Sequence, residues 1–160
     1  MKKFTVASIV WGIVAVVIVV LDRVVKDMIM NSYDVGSHMG EIKGFFDFIY
    51  VQNTGAAFSI FSDMTMILGI LSVLFCLCAA AYWILRKPDH LIKQGAVALL
   101  FAGALGNAID RLFYGFVVDF ISIKWFDFPV FNIADIAVVI GAVAAVVYVI
   151  FFDKKEEEKN

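Results

Sequence analysis

Four long apolar runs constrain this chain more than any other feature. Phe4 to Leu21 is eighteen residues without a charge, roughly 27 Å of helix at 1.5 Å per residue. Thr65 to Leu85 is a second run, stopped by Arg86-Lys87-Pro88. Gly95 to Phe113 is a third, uncharged until Asp110 and Arg111 near its end, and Ile133 to Phe152 is a fourth with Asp135 as its only charge. Hydrophobic residues make up 62% of the 160 and charged residues 18%, and the mean hydropathy is +0.92. An ordinary soluble domain is about 45–50% apolar and about 25% charged. The expected fold is therefore an all-α membrane protein: one integral domain over 1–160, built as a four-helix bundle with spans near 4–25, 65–85, 95–113 and 133–152. Lys2 and Lys3 precede the first run, as in a signal peptide, but the run ends in Asp22-Arg23 rather than a small-residue cleavage site, so it is expected to be retained.

Orientation follows from Lys and Arg. With four spans, both termini share a side with the Arg86–Lys93 loop, and that side holds eight basic residues against five on the other. Both termini are thus expected in the cytoplasm. The outer segment 31–63 contains Phe45 to Val51, rich in aromatic and β-branched residues, which reads as a strand. With Gly36, Gly40 and Gly44 before it, it points to a small sheet at the outer membrane surface, and residues 114–132 form a second outer loop. Small residues recur at Ser72/Cys76/Ala80, Ala98/Ala102/Gly106 and Ala137/Gly141/Ala145, stripes that let membrane helices approach closely. Cys76 and Cys78, at i and i+2, point to different helix faces and read as small packing residues. A net charge of -2 offers no basic stripe for nucleic acid.

The polar residues of the spans gather at one level. By this topology Asp22, Lys26, Asn107, Asp110, Arg111, Asn132 and Asp135 all lie at the outer interface, and Asp119 lies in the outer loop. Each has a bland explanation. Asp22 and Lys26, at i and i+4, fit a helix-end ion pair worth a few tenths of a kcal/mol. Asn132 with Asp135 fits an N-cap and an acid at N3, as in a capping box. Asp119, between Val118 and Phe120, caps nothing evident. Together they are harder to dismiss, because intramembrane ionisable groups usually mark function.

Their chemistry is bounded by what is missing. The two histidines, His38 and His90, fall on opposite sides of the membrane, which disfavours a Ser–His or Cys–His catalyst. No zinc-ligand spacing or phosphate-binding Gly-rich loop occurs. Carboxylates remain, and two close ones share a proton, so one serves as base on water and the other as acid. Asp135, at a helix N-terminus, is expected to be the ionised member. The residues alone reach a membrane aspartic hydrolase acting at the outer surface.

Five motifs in order go further. Asp22-Arg23-Val24-Val25-Lys26, Asn53-Thr54-Gly55-Ala56-Ala57-Phe58, Gly103 through Arg111, Val118-Asp119-Phe120 and Phe131-Asn132-Ile133-Ala134-Asp135 resemble the blocks of lipoprotein signal peptidase (signal peptidase II), a bacterial aspartic peptidase. Arg23 stands where many members have Gln. The resemblance implies removal of the signal peptide from prolipoproteins, cleaving before a diacylglyceryl-modified cysteine. It makes Asp119 and Asp135 the catalytic dyad. Asn53, Asn107, Arg111 and Asn132 would orient dyad and substrate, supported by Asp22, Lys26, Gly55 and Asp110. It implies no metal or organic cofactor, contact with membrane lipids, inhibition by globomycin-type cyclic peptides, and a place in the bacterial cytoplasmic membrane with the site at the outer face. A compact bundle of this size is expected to act as a monomer.

Two other classes compete. A small transporter with a proton relay through Asp110, Arg111 and Asp135 needs ionisable groups spread across the membrane, and the cytoplasmic halves of the spans have none. A purely structural subunit would keep full function after both aspartates were replaced.

Overall fold

The computed structural model describes residues 6–55 and 64–153. Its elements in chain order are α1 (Val6–Ser32), β1 (His38–Ile42), β2 (Phe46–Asn53), α2 (Thr65–Arg86), α3 (Leu91–Phe113), β3 (Val117–Ile123) and α4 (Ile133–Tyr148), which ends in a π-helical turn at Val149–Asp153. Among the described residues, four helices are long and apolar enough to cross a membrane, and the strands form one antiparallel sheet in the order β1-β2-β3. The expected architecture is present: a mostly helical membrane protein with a small sheet at one end of the bundle.

Helix α3 is central. It packs against α1, α2 and α4, whereas its neighbours mostly face outwards. Lipid tails are as apolar as leucine, so such helices gain association energy from close packing rather than from water exclusion. The small-residue stripes supply it. Ala98 and Ala102 are buried with Ala15 against Trp11, Ile18 and Val19. A Cβ at Gly103 would stand 2.6 Å from Val138 Cγ2, and one at Gly141 would stand 2.9 Å from Leu100 N. Large apolar side chains point away from the bundle instead, as at Leu77, Val139 and Ile150, where acyl chains would cover them.

Helix α1 runs on past the apolar stretch to Ser32, carrying Asp22, Arg23, Lys26 and Asp27. Its last turns meet the sheet: Ile29 packs with Tyr50, Val118 and Phe120. Burying side chains of this size removes about 1.5–3 kcal/mol each of exposure cost, which fixes the sheet on the bundle. The strand read at Phe45 to Val51 is β2, displaced by one or two residues. Asp119 does not lie in an outer loop; it sits in β3, paired with Val51 of β2. The sequence Val-Val-Asp-Phe-Ile-Ser-Ile is largely β-branched and apolar, as a strand buried on both faces requires. At the far tip of the hairpin, Gly44 takes a φ of 78°, open to glycine without a side-chain clash.

Candidate active site

Two elements deliver the two acids. β3 carries Asp119 beside the start of α4, and α4 carries Asp135 in its first turn. The bridge Ile121–Phe131 ties the loop preceding α4 back onto β3, so the strand and the helix N-terminus cannot drift apart freely. Asn132 is the N-cap: its Oδ1 accepts from Asp135 N at 2.9 Å, and Asp135 Oδ2 accepts from Asn132 N at 3.1 Å. This reciprocal pair is the capping box read from the sequence.

The same Asn132 side chain reaches Asp119. Its Nδ2 donates to Asp119 Oδ1 at 2.7 Å and also lies 3.1 Å from Asn107 Oδ1. Asn107 Nδ2 in turn donates to Asp135 Oδ1 at 2.7 Å. Asn53 completes the set, with Nδ2 donating to the other Asp119 oxygen at 3.0 Å while its Oδ1 accepts from Gly55 N at 2.9 Å. In all three asparagines a donor occupies the amide oxygen, so each NH₂ group is turned toward a carboxylate. Asp119 is buried. Burial, followed by the nearby Asp135 charge, raises its pKa from the ordinary carboxylate range to about 7, against the opposing pull of the Asn53 and Asn132 hydrogen bonds and of Lys26.

Both acids face one cavity of about 450 Å³. Its polar wall is Asn53, Arg111, Asp119 and Asp135, and its apolar wall includes Ile123, Phe128, Phe131, Ile136, Val139 and Ile140. Ile136, Val139 and Ile140 are exposed on the outward face of α4, so the cavity continues along the helix surface that meets lipid. Arg111 Nη2 donates to Gly55 O at 3.3 Å, while its Nε is buried without a partner among the described residues.

Beneath the acids lies a charged layer. Lys26, with no exposed surface, contacts Asp22 Oδ2 at 2.8 Å, Asp110 Oδ2 at 2.9 Å and Asn107 Oδ1 at 3.1 Å. The helix-end reading of Asp22 and Lys26 therefore needs correction. The i,i+4 ion pair exists, but α3 and α4 cover it, and breaking one side of such a buried pair costs about 3–5 kcal/mol rather than tenths.

Asp22, Lys26, Asn53, Gly55, Asn107, Asp110, Arg111, Asp119, Asn132 and Asp135 are brought together here, whereas Ala56, Ala57 and Phe58 fall outside the described residues. Arg23 also belongs to the charged layer. It donates to Asp110 Oδ1 at 2.7 Å, pairs with Asp27, and lies over the Tyr114 ring at 4.9 Å. The apolar cavity wall went unread, although the i, i+3, i+4 spacing of Ile136, Val139 and Ile140 already placed them on one helix face.

Comparison with known proteins gives the family. The family described as "Signal peptidase (SPase) II" matches residues 14–151. The lipoprotein signal peptidase of Clostridium acetobutylicum is 35% identical over 150 residues, covering 92% of this chain and 97% of that protein. That of Staphylococcus aureus is 34% identical over 161 residues, covering 99% and 98%. A solved structure described as a bacterial membrane enzyme superposes with a TM-score of 0.84 at 34% identity, covering 99% of this chain and 95% of that one. The chain belongs to the signal peptidase II family and is a multi-pass membrane peptidase.

Proposed function

We propose that this protein is an aspartic endopeptidase that removes the signal peptide from lipid-modified prolipoproteins, cleaving before the diacylglyceryl-cysteine. The observation that carries the reading is Asn132, which binds Asp119 through its amide nitrogen and caps the helix of Asp135 through its amide oxygen. Two carboxylates tied to one side chain, facing one cavity, are the arrangement a shared-proton dyad needs.

The chemistry follows from their unequal surroundings. Asp119, its pKa raised to about 7 by burial and by the Asp135 charge, is the member of the pair that holds a proton up to the neutral range. Asp135 accepts from Asn107 and from its own cap in the first turn of α4, and its carboxylate is the one placed to act as base. Asp135 takes a proton from water as the water oxygen attacks the scissile carbonyl carbon, and Asp119 donates its proton to the carbonyl oxygen. Collapse of the tetrahedral intermediate breaks the C–N bond, the departing amine takes the proton held by Asp135, and Asp119 recovers its own. Arg111 and Asn53 hold the substrate backbone at the cavity wall. The apolar wall along Ile136, Val139 and Ile140 takes the apolar part of a substrate arriving from the bilayer, and globomycin-type cyclic peptides occupy the same space.

In this reading both termini are cytoplasmic and the sheet end lies at the outer face of the bacterial cytoplasmic membrane, as the eight-to-five distribution of basic residues suggests. One chain supplies the whole site, so it works as a monomer, in contact with membrane lipid and without a metal or organic cofactor. A proton relay is disfavoured because Phe4–Leu21, Thr65–Leu85, Gly95–Ile109 and Ile136–Phe152 carry no charge. The test is incubation of the purified protein in lipid with a precursor peptide, in diacylglyceryl-modified and unmodified forms, with products identified by mass. Cleavage before the modified cysteine alone is expected; equal cleavage of both forms, or of neither, contradicts the proposal.

A further inference from the structure

Asp22 and Asp110 each hold the backbone N–H of the residue just before one of the two acids. Asp22 Oδ1 accepts from Ala134 N at 3.0 Å, adjacent to Asp135, and Asp110 Oδ2 accepts from Val118 N at 3.1 Å, adjacent to Asp119. The remaining link is Lys26, whose Nζ contacts both carboxylates, at 2.8 and 2.9 Å. Three buried charges thus form a bracket running from α4, through α1 and α3, to β3. All three side chains are essentially without exposed surface, so water does not compete for these bonds. Lys26 also donates to Asn107 Oδ1 at 3.1 Å, and this turns the Asn107 NH₂ group toward Asp135.

We propose that Lys26 is a positioning residue that sets the spacing of Asp119 and Asp135 through Asp22 and Asp110. It touches neither acid by hydrogen bond. It acts by fixing where the backbone before each one stands, and the Asn107 amide is a third arm of the same device. Arg23 reinforces the Asp110 arm from the outside through the other carboxylate oxygen. A shared-proton pair depends steeply on separation, because the interaction that splits its two ionisations falls with distance. A displacement of about 1 Å also costs roughly 100-fold in rate when reacting groups must be aligned. This inference rests on the dyad reading given above.

The test uses the full chain in lipid, with K26M and the variant K26M/D22N/D110N, which removes both carboxylates that Lys26 pairs. Each Asp→Asn change keeps an oxygen for its backbone N–H, neither carboxylate is left without Lys26, and Arg23, which loses Asp110, keeps Asp27 as its partner. K26M is expected to lower the melting temperature and to reduce kcat roughly 100-fold with KM little changed. The triple variant is expected to recover melting temperature but not kcat, and the two limbs of its pH–rate profile should draw together as the acids separate. Recovery of wild-type kcat and profile together with stability would reduce Lys26 to a neutraliser of buried charge and overturn the proposal. The dyad reading fails by a different result, namely normal processing by D119N or D135N.

Discussion

Asn132 donates to Asp119 Oδ1 at 2.7 Å, and the same side chain accepts the N–H of Asp135 at 2.9 Å. One residue therefore does a structural and a functional task with opposite ends of its amide, and the two can be separated by mutation. N132S keeps an oxygen for the cap but loses the NH₂ group that binds Asp119. Its melting temperature should stay within a few degrees of wild type while kcat falls, by about ten- to a hundredfold for one lost charge-directed hydrogen bond. N132A should lose the cap as well, at about 1 kcal/mol. Equal activity in N132S and wild type, at matched folding, would remove Asn132 from the mechanism.

The raised pKa of Asp119 makes a stability prediction with a definite sign. An unfolded aspartate ionises near 3.8, whereas the folded one keeps its proton to about 7. Between these values the folded state binds more protons than the unfolded state, so its stability falls as pH rises through that window. D119N has no proton to lose and should not show this slope. Relative to wild type it should gain stability on the order of a few kcal/mol by pH 8 and little at pH 4. Thermal midpoints of the two proteins across pH 4 to 8 check it; parallel curves would mean that Asp119 ionises normally.

Gly103 is predicted to reverse the usual effect of a helix glycine. Replacing Gly by Ala within a helix ordinarily stabilises by about 1 kcal/mol. A Cβ at Gly103, however, would stand 2.6 Å from Val138 Cγ2 and 3.0 Å from Val138 N, one turn below Asp135. G103A should therefore destabilise the protein and slow it, because α4 must back away from α3. Gly12 is the internal control: a Cβ there meets nothing within 4 Å among the described residues, so G12A should be neutral or stabilising. A rise in melting temperature for G103A would show that α3 and α4 do not pack this closely.

Much of this was legible before any coordinates. Four apolar runs dictate four spans because length and hydropathy are local properties, and the Asn132–Asp135 cap is a motif of four consecutive residues. Asp119 was harder to place. β3 is defined by pairing with β2, more than sixty residues earlier in the chain, and no local pattern announces such a partner. The Asp22–Lys26 pair shows the same limit from the energetic side. Its spacing says that the two side chains meet, but only the packing of α3 and α4 over them says that they meet without water. Arg23 is a case where the position was visible and its partner was not, since Asp110 lies 87 residues away. The three asparagines were each in view, yet the direction of each amide depends on what occupies its oxygen.

The central claim is that Asp119 and Asp135 together hydrolyse the precursor, and the most direct measurement is cleavage of a diacylglyceryl-modified precursor peptide by D119N and by D135N, each folded in lipid. Each is expected to lose processing by at least about a thousandfold, and the double variant to be little worse than either alone, because the residues act as a unit. Processing near the wild-type rate by either single variant would contradict the account.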